Sequence, residues 1–477
     1  MFGPSVIQEK VDGLFERRKE IAESWDAYYG KLHKPLKFGS IAGREVPDDN
    51  VRLNYAGLVV DTGVDFLFGE DTRFEVANEA SEAEDEAAED PADDWLEACW
   101  KANCKMTTLI KLGVNGSVTG HALVRLRRPD PSRTDKFKLY PRVIVLDPGM
   151  MTPIYDDDDI DRVNTWIQEW RCLGESDKGK PIDVIKRTLF EDKGGSWLIT
   201  DQESRGNNKV WVTIGTPEVW PYAWCPVFHC QNLPVPNEFW GKADISCDVI
   251  EINEAINFGT SNIRRILRFH SHPKTIGIGF NAAKMDTSPD GIIGLPLNGD
   301  MKNLEMQSDL GSSLEFNKEL RSALHEISQT PEVATGKTEG IGSLSGVALQ
   351  ILYRPLINKT RKKRLTYGEM LSDLSSRMIE VGMNVADREV EVHWPNPIPV
   401  DAKEEAETGV MLDALGVSKD TIITRLGYDS ELEAEKKAEE KAADAATTAT
   451  AMMTFSKGQG PAGTMPYVDP ANSTGDA

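Results

Sequence analysis

Long apolar runs are absent from this chain of 477 residues. No stretch approaches the ~20 consecutive apolar residues that a membrane-spanning helix needs, so no membrane span is expected. Cysteine is also scarce, because six thiols in so long a chain do not make a disulfide framework. The first residues, MFGPSVIQEKVDG, lack a basic segment followed by an apolar one. The sequence therefore predicts no secretory signal and a reducing cytoplasm as the default compartment.

Positive charge is in deficit, with 54 Lys and Arg against 77 Asp and Glu, for a net charge of −23. Tight, general binding to nucleic acid comes mostly from Lys and Arg that neutralise phosphates, so the balance argues against it but leaves room for loose contact. The charge is uneven, since EASEAEDEAAEDPADD (79–94) has no base and NKTRKKR (358–364) has no acid. The sequence predicts a solvated loop for the first run and a solvated helix face for the second.

Catalytic signatures are missing as well. No GxSxG, HExxH or GxGxxG element appears in the required context. Gly336, Lys337 and Thr338 spell the end of a phosphate-binding loop, but Pro331 takes the place of its first glycine, and a helical pattern leads into it where a strand is required. We therefore predict no catalytic residue and no cofactor. A nucleotide-dependent enzyme built on these three residues remains the enzymatic alternative.

Metal-ligating residues are few. Cys225, His229 and Cys230 stand close together in WCPVFHC, but a structural zinc site needs a second pair, and none lies nearby. We predict no metal site. Cys99 and Cys104 have apolar neighbours at helical spacing, which favours buried core thiols.

Two further polar clusters are assigned structural roles. DDDDID (156–161) lacks the central Gly and closing Glu of a calcium loop and lies between predicted strands, so we expect a solvated hairpin tip. His270 and His272 have no acid spaced to orient them, which favours a role at a helix end.

The first half of the chain reads as helices followed by strands. Apolar residues recur at helical spacing over 6–29, 53–68 and 93–114. From His121 the period changes to two. The predicted strands are HALVRLR, RVIVL, VNTWIQEWRC, IDVIKRTLF, GSWLIT, KVWVTI and PYAWCPVFHC.

The second half is mostly helical. A helix is predicted over 244–270 with Asp244 as its N-cap, followed by short strands and turns to residue 311. The next helix starts from a capping box of Ser312 and Glu315 and carries an apolar face. That face consists of Phe316, Leu320, Leu324 and Ile327.

A Gly-rich loop at 330–346 then leads into a helix of almost forty residues, in which Pro355 predicts a kink. EVEVHWPNPIPV predicts a strand and a Pro-rich link. Beyond it, Asp401 and Glu404 form a capping box on one helix, and Ser418 and Gly427 bracket a second. The composition after Thr447 is that of a disordered tail.

The order of these parts resembles the portal proteins of tailed double-stranded DNA bacteriophages, in the siphovirus-type family. The resemblance covers residues 1 to about 445. It rests on GKADISCDVIEINEAIN, HPKTIGIG and SGVALQILYRPLINKTRKKRLTYGEML, and more weakly on NYAGLVVDTGVDFLFGED. It implies an α+β portal fold with a helical stem, an α/β clip, a mixed α/β wing and an α-helical crown, assembled as a ring.

The resemblance also implies the limits of each part. These are a wing over 1–240, a stem helix over 241–270, a clip over 271–311, a second stem helix over 312–329, a tunnel loop over 330–346, a kinked helix and strand of the wing over 347–399, a crown over 400–446, and a disordered tail over 447–477. The side chains implied to pack the stem are Ile245, Val249, Ile252, Ile256, Leu320 and Leu324.

On this resemblance, the subunits form a ring, usually a dodecamer, at the capsid vertex, after assembly in the host cytoplasm. Double-stranded DNA passes through the channel, and terminase, capsid, scaffold and head-completion or adaptor proteins are the implied partners. The DNA-contacting residues are implied to be Thr335, Gly336, Lys337, Thr338, Glu339 and Gly340. A non-viral helical scaffold or adaptor, using the 346–384 helix, is the structural alternative.

Overall fold

The computed structural model describes most of the chain. The described residues are 4–32, 49–77, 90–156, 158–175, 181–205, 210–271, 274–278, 297–304, 310–336, 346–396 and 402–425, with 433, 436 and 437. The chain divides into two units, Met1–Pro397 and Ile398–Ala477.

The first unit begins with helices. The elements are α1 Pro4–Tyr28, α2 Tyr55–Phe68, strand β1 Arg73–Val76, α3 Pro91–Ala102 and α4 Lys105–Thr119. Asn54 caps α2 by accepting a hydrogen bond from the Gly57 amide, and Asp90 caps α3 in the same way through the Ala92 amide. The end of the acidic run therefore forms a helix start, two residues before the helix start predicted at residue 93.

The predicted single helix over 93–114 is wrong, because the chain breaks it at Cys104. That residue has φ 53° in the left-handed region and starts α4. Cys99 is buried as expected, whereas Cys104 is exposed and is not a core thiol.

A β-rich region follows. Its strands are β2 His121–Arg127, β3 Arg142–Leu146, β4 Met151–Tyr155, β5 Val163–Glu175, β6 Pro181–Asp192, β7 Trp197–Arg205, β8 Val212–Thr213, β9 Glu218–Trp220 and β10 Val227–Gln231. One sheet has the order β10-β2-β3, and a larger one has the order β4-β5-β6-β7-β8 with β9 also paired to β7. All the pairings described within this region are antiparallel.

Most of the period-two pattern is confirmed. HALVRLR and RVIVL form β2 and β3 over their full lengths, and residues 156 and 158–161 lie in the connection between β4 and β5 as expected. The strand predicted for KVWVTI is mostly wrong, since β8 covers only two of its residues. Strands β1, β4 and β9 were not predicted.

The helical half contains α5 Cys247–Ser271, β11 Lys274–Ile278, β12 Asp300–Leu304, α6 Leu310–Ser328, α7 Gly346–Met383 and β13 Val390–His393. β11 pairs with β12, and β13 returns to pair with β1. Two predicted helix starts are wrong. α5 begins three residues after Asp244, and α6 begins before Ser312, so neither residue is an N-cap.

The second unit contains α8 Ala402–Ala414 and α9 Lys419–Arg425. Ser418 caps α9, because its hydroxyl accepts a hydrogen bond from the Thr421 amide at 3.3 Å, as the sequence predicts. Asp401 and Gly427 lie outside the described residues, and so does the tail after Thr447.

The main core of the first unit lies between α3, α4, α7 and the β10-β2-β3 sheet. Trp100 is buried there, stacks on Phe74 at 4.6 Å between ring centroids, and donates to the Ser375 hydroxyl at 3.1 Å. A second, aromatic core lies on the larger sheet around Trp166, Phe190 and Trp220. The mixture of helices and sheets fits the α+β class.

Two glycines allow the backbone to pack closely where the helical and β-rich parts meet. Gly120 has φ +83°, and a Cβ on it would lie 2.2 Å from the Gly241 carbonyl oxygen. A Cβ on Gly241 would likewise lie 2.5 Å from the Gly120 carbonyl oxygen. Neither position accommodates a side chain unless the backbone moves.

Gly120→Ala should therefore destabilise the chain by about 3 to 4 kcal/mol, since strain in the left-handed region and the backbone clash add. Gly194→Ala is the matched control, because Gly194 has φ +75° but nothing within 4 Å of its Cβ position. It should cost only about 1 kcal/mol. Denaturant unfolding of both variants measures the difference, and equal losses would contradict the close packing.

Candidate functional site

The described start of the Gly-rich loop is built on α6. The helix ends at Ser328, Gln329 takes a positive φ of 56°, and a 3-10 turn spans Glu332–Thr335. Gly336 closes the turn with φ 84°. Because a helix and Pro331 precede Gly336, this geometry contradicts a phosphate-binding loop, which requires an incoming strand. Lys337, Thr338, Glu339 and Gly340 lie outside the described residues.

Side chains fix this turn against both flanking helices. Arg321 of α6 donates to the Glu332 carboxylate at 2.8 Å. The Nδ1 of buried His325 lies 2.7 Å from the Thr330 carbonyl oxygen, and this contact places the proton on Nδ1 because a carbonyl only accepts. From α7, the Tyr353 hydroxyl donates to the Val333 carbonyl at 3.4 Å. The base of the loop is thus held at several points.

A buried charge cluster lies behind the loop base. Lys363 of α7 donates to the Asp244 carboxylate at 2.5 Å and to the Ser117 hydroxyl of α4 at 3.0 Å. Lys359, one helical turn earlier, lies 3.3 Å from the same carboxylate. Asn232 donates to Asp244 at 3.2 Å. We call these five residues the Asp244 anchor.

The electrostatics of the anchor follow from burial. Burial opposes ionisation of Asp244, but the nearby Lys359 and Lys363 ammonium groups outweigh it and hold the pKa of Asp244 below its ordinary value. Burial lowers the pKa of Lys363, and the Asp244 carboxylate counteracts this shift. Lys363 therefore has two polar partners in this buried site, Asp244 and Ser117. The basic run was expected to be a solvated helix face, and this expectation is wrong for two of its five bases.

Lys359 joins three helices. Besides its contact with Asp244, just before α5, its ammonium donates to the Ser328 carbonyl at the end of α6 at 3.0 Å. A cation at a helix C-terminus meets unpaired carbonyls and the negative end of the helix dipole. One side chain of α7 therefore fixes the start of α5 and the end of α6.

The anchor requires small residues beside it. The Tyr367 hydroxyl donates to Asn232 at 3.2 Å, and a Cβ on Gly116 of α4 would lie 1.8 Å from that hydroxyl oxygen. A Cβ on Gly63 of α2 would lie 3.1 Å from the Asp244 carboxylate. The two glycines leave room for polar groups that must reach each other.

A ladder of polar side chains ties residues 51–55 to α5. Asn253, Asn257 and Ser261 accept hydrogen bonds from the amides of Tyr55, Leu53 and Val51 at 2.8, 2.8 and 2.9 Å. The spacing fits because four helical residues rise about 6.0 Å and two extended residues about 6.6 Å. The helix surface thus takes the place of a neighbouring strand.

The family model for the phage portal protein, SPP1 Gp6-like, matches residues 7–182 and 276–447. The chain belongs to this phage portal family. The matched ranges include NYAGLVVDTGVDFLFGED and the SGVALQ segment of α7, but leave out GKADISCDVIEINEAIN. A search of curated proteins finds no match.

Membership of the portal family overturns the non-viral scaffold alternative. It implies a capsid-associated oligomeric ring that handles DNA, and a structural rather than a catalytic role. Among the described helices of this portal chain, none is long and apolar enough to cross a membrane.

The predicted stem residues fall into two clusters. Ile245 and Val249 are buried with Val60 and Val118, and Ile256 and Leu324 are buried around Val59. Ile252 and Leu320 are half-buried beside the second cluster. Phe316 and Ile327, predicted on the same apolar face of α6, are instead exposed. Pro355 lies inside α7, and its kink stays a prediction.

Two histidines of the portal β-region share a buried contact. His121 Nε2 lies 3.3 Å from His229 Nδ1, and the rings stack. Burial lowers the pKa of His229 to about 4, and burial, His229 and Arg17 hold the pKa of His121 well below its ordinary value. Both rings are therefore neutral at physiological pH. Of the neighbouring cysteines, Cys230 is buried and Cys225 is half-buried, and burial raises the pKa of each thiol.

Sequence reasoning missed Lys359, Lys363, Asn253 and Asn257. A signal for each pair was present. The two lysines recur four residues apart on the same face as buried Leu356 and Tyr367, and the asparagines recur four residues apart, one place after Ile252 and Ile256. Polar residues at helical spacing beside an apolar stripe indicate buried hydrogen bonds.

Lys363→Met should destabilise the portal chain by about 3 kcal/mol, because it removes one partner of a buried ion pair and leaves part of the Asp244 carboxylate unpaired. Lys101→Met, at an exposed lysine of α3, is the control and should change stability by less than about 0.5 kcal/mol. Urea unfolding distinguishes them. A Lys363→Met loss below about 1 kcal/mol would contradict the anchor.

The histidine pair predicts an acid-dependent loss of stability. The unfolded His229 binds a proton below its ordinary pKa of about 6.5, and the folded one does so only near 4, so stability falls as pH drops through this window. His229 alone should account for about 2 kcal/mol between pH 8 and pH 5. Between these two pH values, the free energy of unfolding of His229→Gln should therefore fall by about 2 kcal/mol less than that of the parent chain.

Leu173→Gln is the control for this comparison, because Leu173 is 78% exposed in β5 and carries no titratable group. It should keep the full pH dependence of the parent chain. If His229→Gln behaves like Leu173→Gln, the histidine pair is not the source of the effect.

Proposed function

We propose that this chain is the portal subunit of a tailed phage, and that twelve copies form a ring at one capsid vertex. The family match over most of the chain carries this proposal. Double-stranded DNA passes through the channel during packaging and ejection. Terminase and the head-completion or adaptor protein dock on the ring, which also contacts the capsid and scaffold proteins. Assembly takes place in the host cytoplasm.

The parts of the chain take the following roles in the proposed ring. The wing is 1–240 with 347–399, the stem 241–270 and 312–329, the clip 271–311, and the crown 400–446. The paired strands β11 and β12 support a clip with β-structure, and the packing of Ile256 against Leu324 supports a stem of two helices.

The loop at 330–346 faces the channel in this proposal. Side chains of α6 and α7 hold the described start of the loop in place, which supports a loop that projects from a rigid base. Lys337 meets DNA phosphates transiently, and Gly336, Gly340 and Gly342 let the chain turn. The excess of acidic residues suits the task, since a channel that bound DNA tightly would not let it slide.

The Asp244 anchor stabilises the helices that carry this loop. Through Lys359 and Lys363 it fixes both proposed stem helices to α7. A force on the loop from moving DNA is therefore carried into the wing and both stem helices. Replacing Ile256 with Asp should disrupt the same region, because the side chain is fully buried and an unpaired charge there is costly.

Lys337→Ala should leave rings intact and reduce the number of DNA-filled heads, because it removes the charge that meets phosphate. Lys337→Arg keeps the charge and should package like the parent. The measurement is the ratio of filled to empty heads in phage assembled with each variant. Equal filling by Lys337→Ala and the parent would contradict the DNA contact.

A further inference from the structure

The side of α7 that turns away from the core combines bases with large apolar residues. Its exposed members, which we call the α7 outer face, are Ile351, Arg354, Asn358, Arg361, Lys362 and Leu365. Ile351 is 63% exposed and Leu365 is 74% exposed. Within the described part of the chain, no ion pair engages Arg354, Arg361 or Lys362.

The outward side of α6 has the opposite charge. Glu315, Glu319 and Glu326 recur four and seven residues apart, so they form one ridge. Phe316, 60% exposed, and Ile327, 49% exposed, lie along one side of this ridge. We call these five residues the α6 outer face. The described residues form no ion pair with its three glutamates.

The chain itself buries only part of the apolar stripe of α6. Leu320 and Leu324 pack against α2 and α5, and Phe316 and Ile327 continue the same stripe into solvent. Exposed apolar residues beside a charged ridge are typical of a contact surface. Phe316 and Ile327, predicted on one face with Leu320 and Leu324, therefore extend an apolar stripe that the chain buries only in part.

We propose that the α7 outer face of one copy docks on the α6 outer face of the next copy. Three bases meet three acids, and two aliphatic side chains meet Phe316 and Ile327. The lengths agree, since 351–365 spans about 21 Å of helix and 315–327 about 18 Å. Because the two faces differ, the contact is head-to-tail, which is the kind that closes into a ring. The inference rests on the ring of the proposed function.

The composition of the α7 outer face favours a protein over DNA. A DNA-binding surface is dominated by contacts from cationic and polar groups to phosphates. Ile351 and Leu365 have no role in such contacts, but they fit a protein interface whose centre is apolar and whose rim is charged.

Two variants with reversed charge test the contact. Arg361→Glu with Lys362→Glu makes the α7 outer face acidic, and Glu315→Lys with Glu319→Lys makes the α6 outer face basic. Each variant alone brings like charges together, so the fraction of chain in rings should fall at least about tenfold in light scattering and electron microscopy. In an equimolar mixture every contact is complementary again, so alternating rings should form.

The mixture also controls for folding, because a misfolded variant is not rescued by a second one. Lys101→Glu with Lys111→Glu is the control matched in charge to the α7 variant, since both lysines are exposed on α3 and α4. It should assemble like the parent chain.

Rings of parent size from either variant alone would overturn the proposed contact and leave the portal ring standing. Failure of the mixture to restore rings would overturn it as well. Intact rings that lose DNA retention only in the α7 variant would show that this face binds DNA instead. A parent chain that forms no ring would contradict the proposed function itself, which separates the two failures.

Discussion

The structure depends on a buried carboxylate shared by two lysines. Asp244 lies in the segment before α5, Lys359 and Lys363 lie one turn apart in α7, and Ser117 connects α4 to the same point. Burying these charges is costly unless each finds its partners, so the arrangement admits little variation in how the helices meet. Positions 63 and 116 have little room for a side chain, because Asp244 of the anchor lies beside Gly63 and Tyr367 lies beside Gly116.

The rest of the first unit is organised around this point. Lys359 also caps α6, and the 3-10 turn after α6 is held by Arg321 and Tyr353. The polar ladder of α5 fixes residues 51–55, which lead into α2, and α2 also packs on α5 through Val59 and Val60. The helices that frame the 330–346 loop are thus bound to one another by directional polar contacts as well as by apolar packing. Such contacts favour one relative arrangement of these helices, which the proposed contact of the loop with DNA requires.

Much of this fold could be read from local pattern. The period-two runs gave β2 and β3 with their full bounds, the length of α7 was evident, and Ile245, Val249, Ile256 and Leu324 are buried as their spacing indicates. The errors arose where contacts with residues far away in the sequence determine the local structure. Asp244 looks like an N-cap because its partner Lys363 lies 119 residues further along the chain. The break at Cys104 was hidden because the apolar pattern continues across it, and Phe316 and Ile327 have the spacing of core residues although the chain leaves them exposed.

The most direct test of this account is cryo-electron microscopy of the purified chain, with rotational symmetry counted from class averages and the path of residues 330–346 traced in the map. The account predicts a closed ring with a central hole, the loop facing that hole, and the Asp244 anchor intact at the junction of α5, α6 and α7. A monomer, an isologous dimer, or a ring whose loop points outward would contradict it.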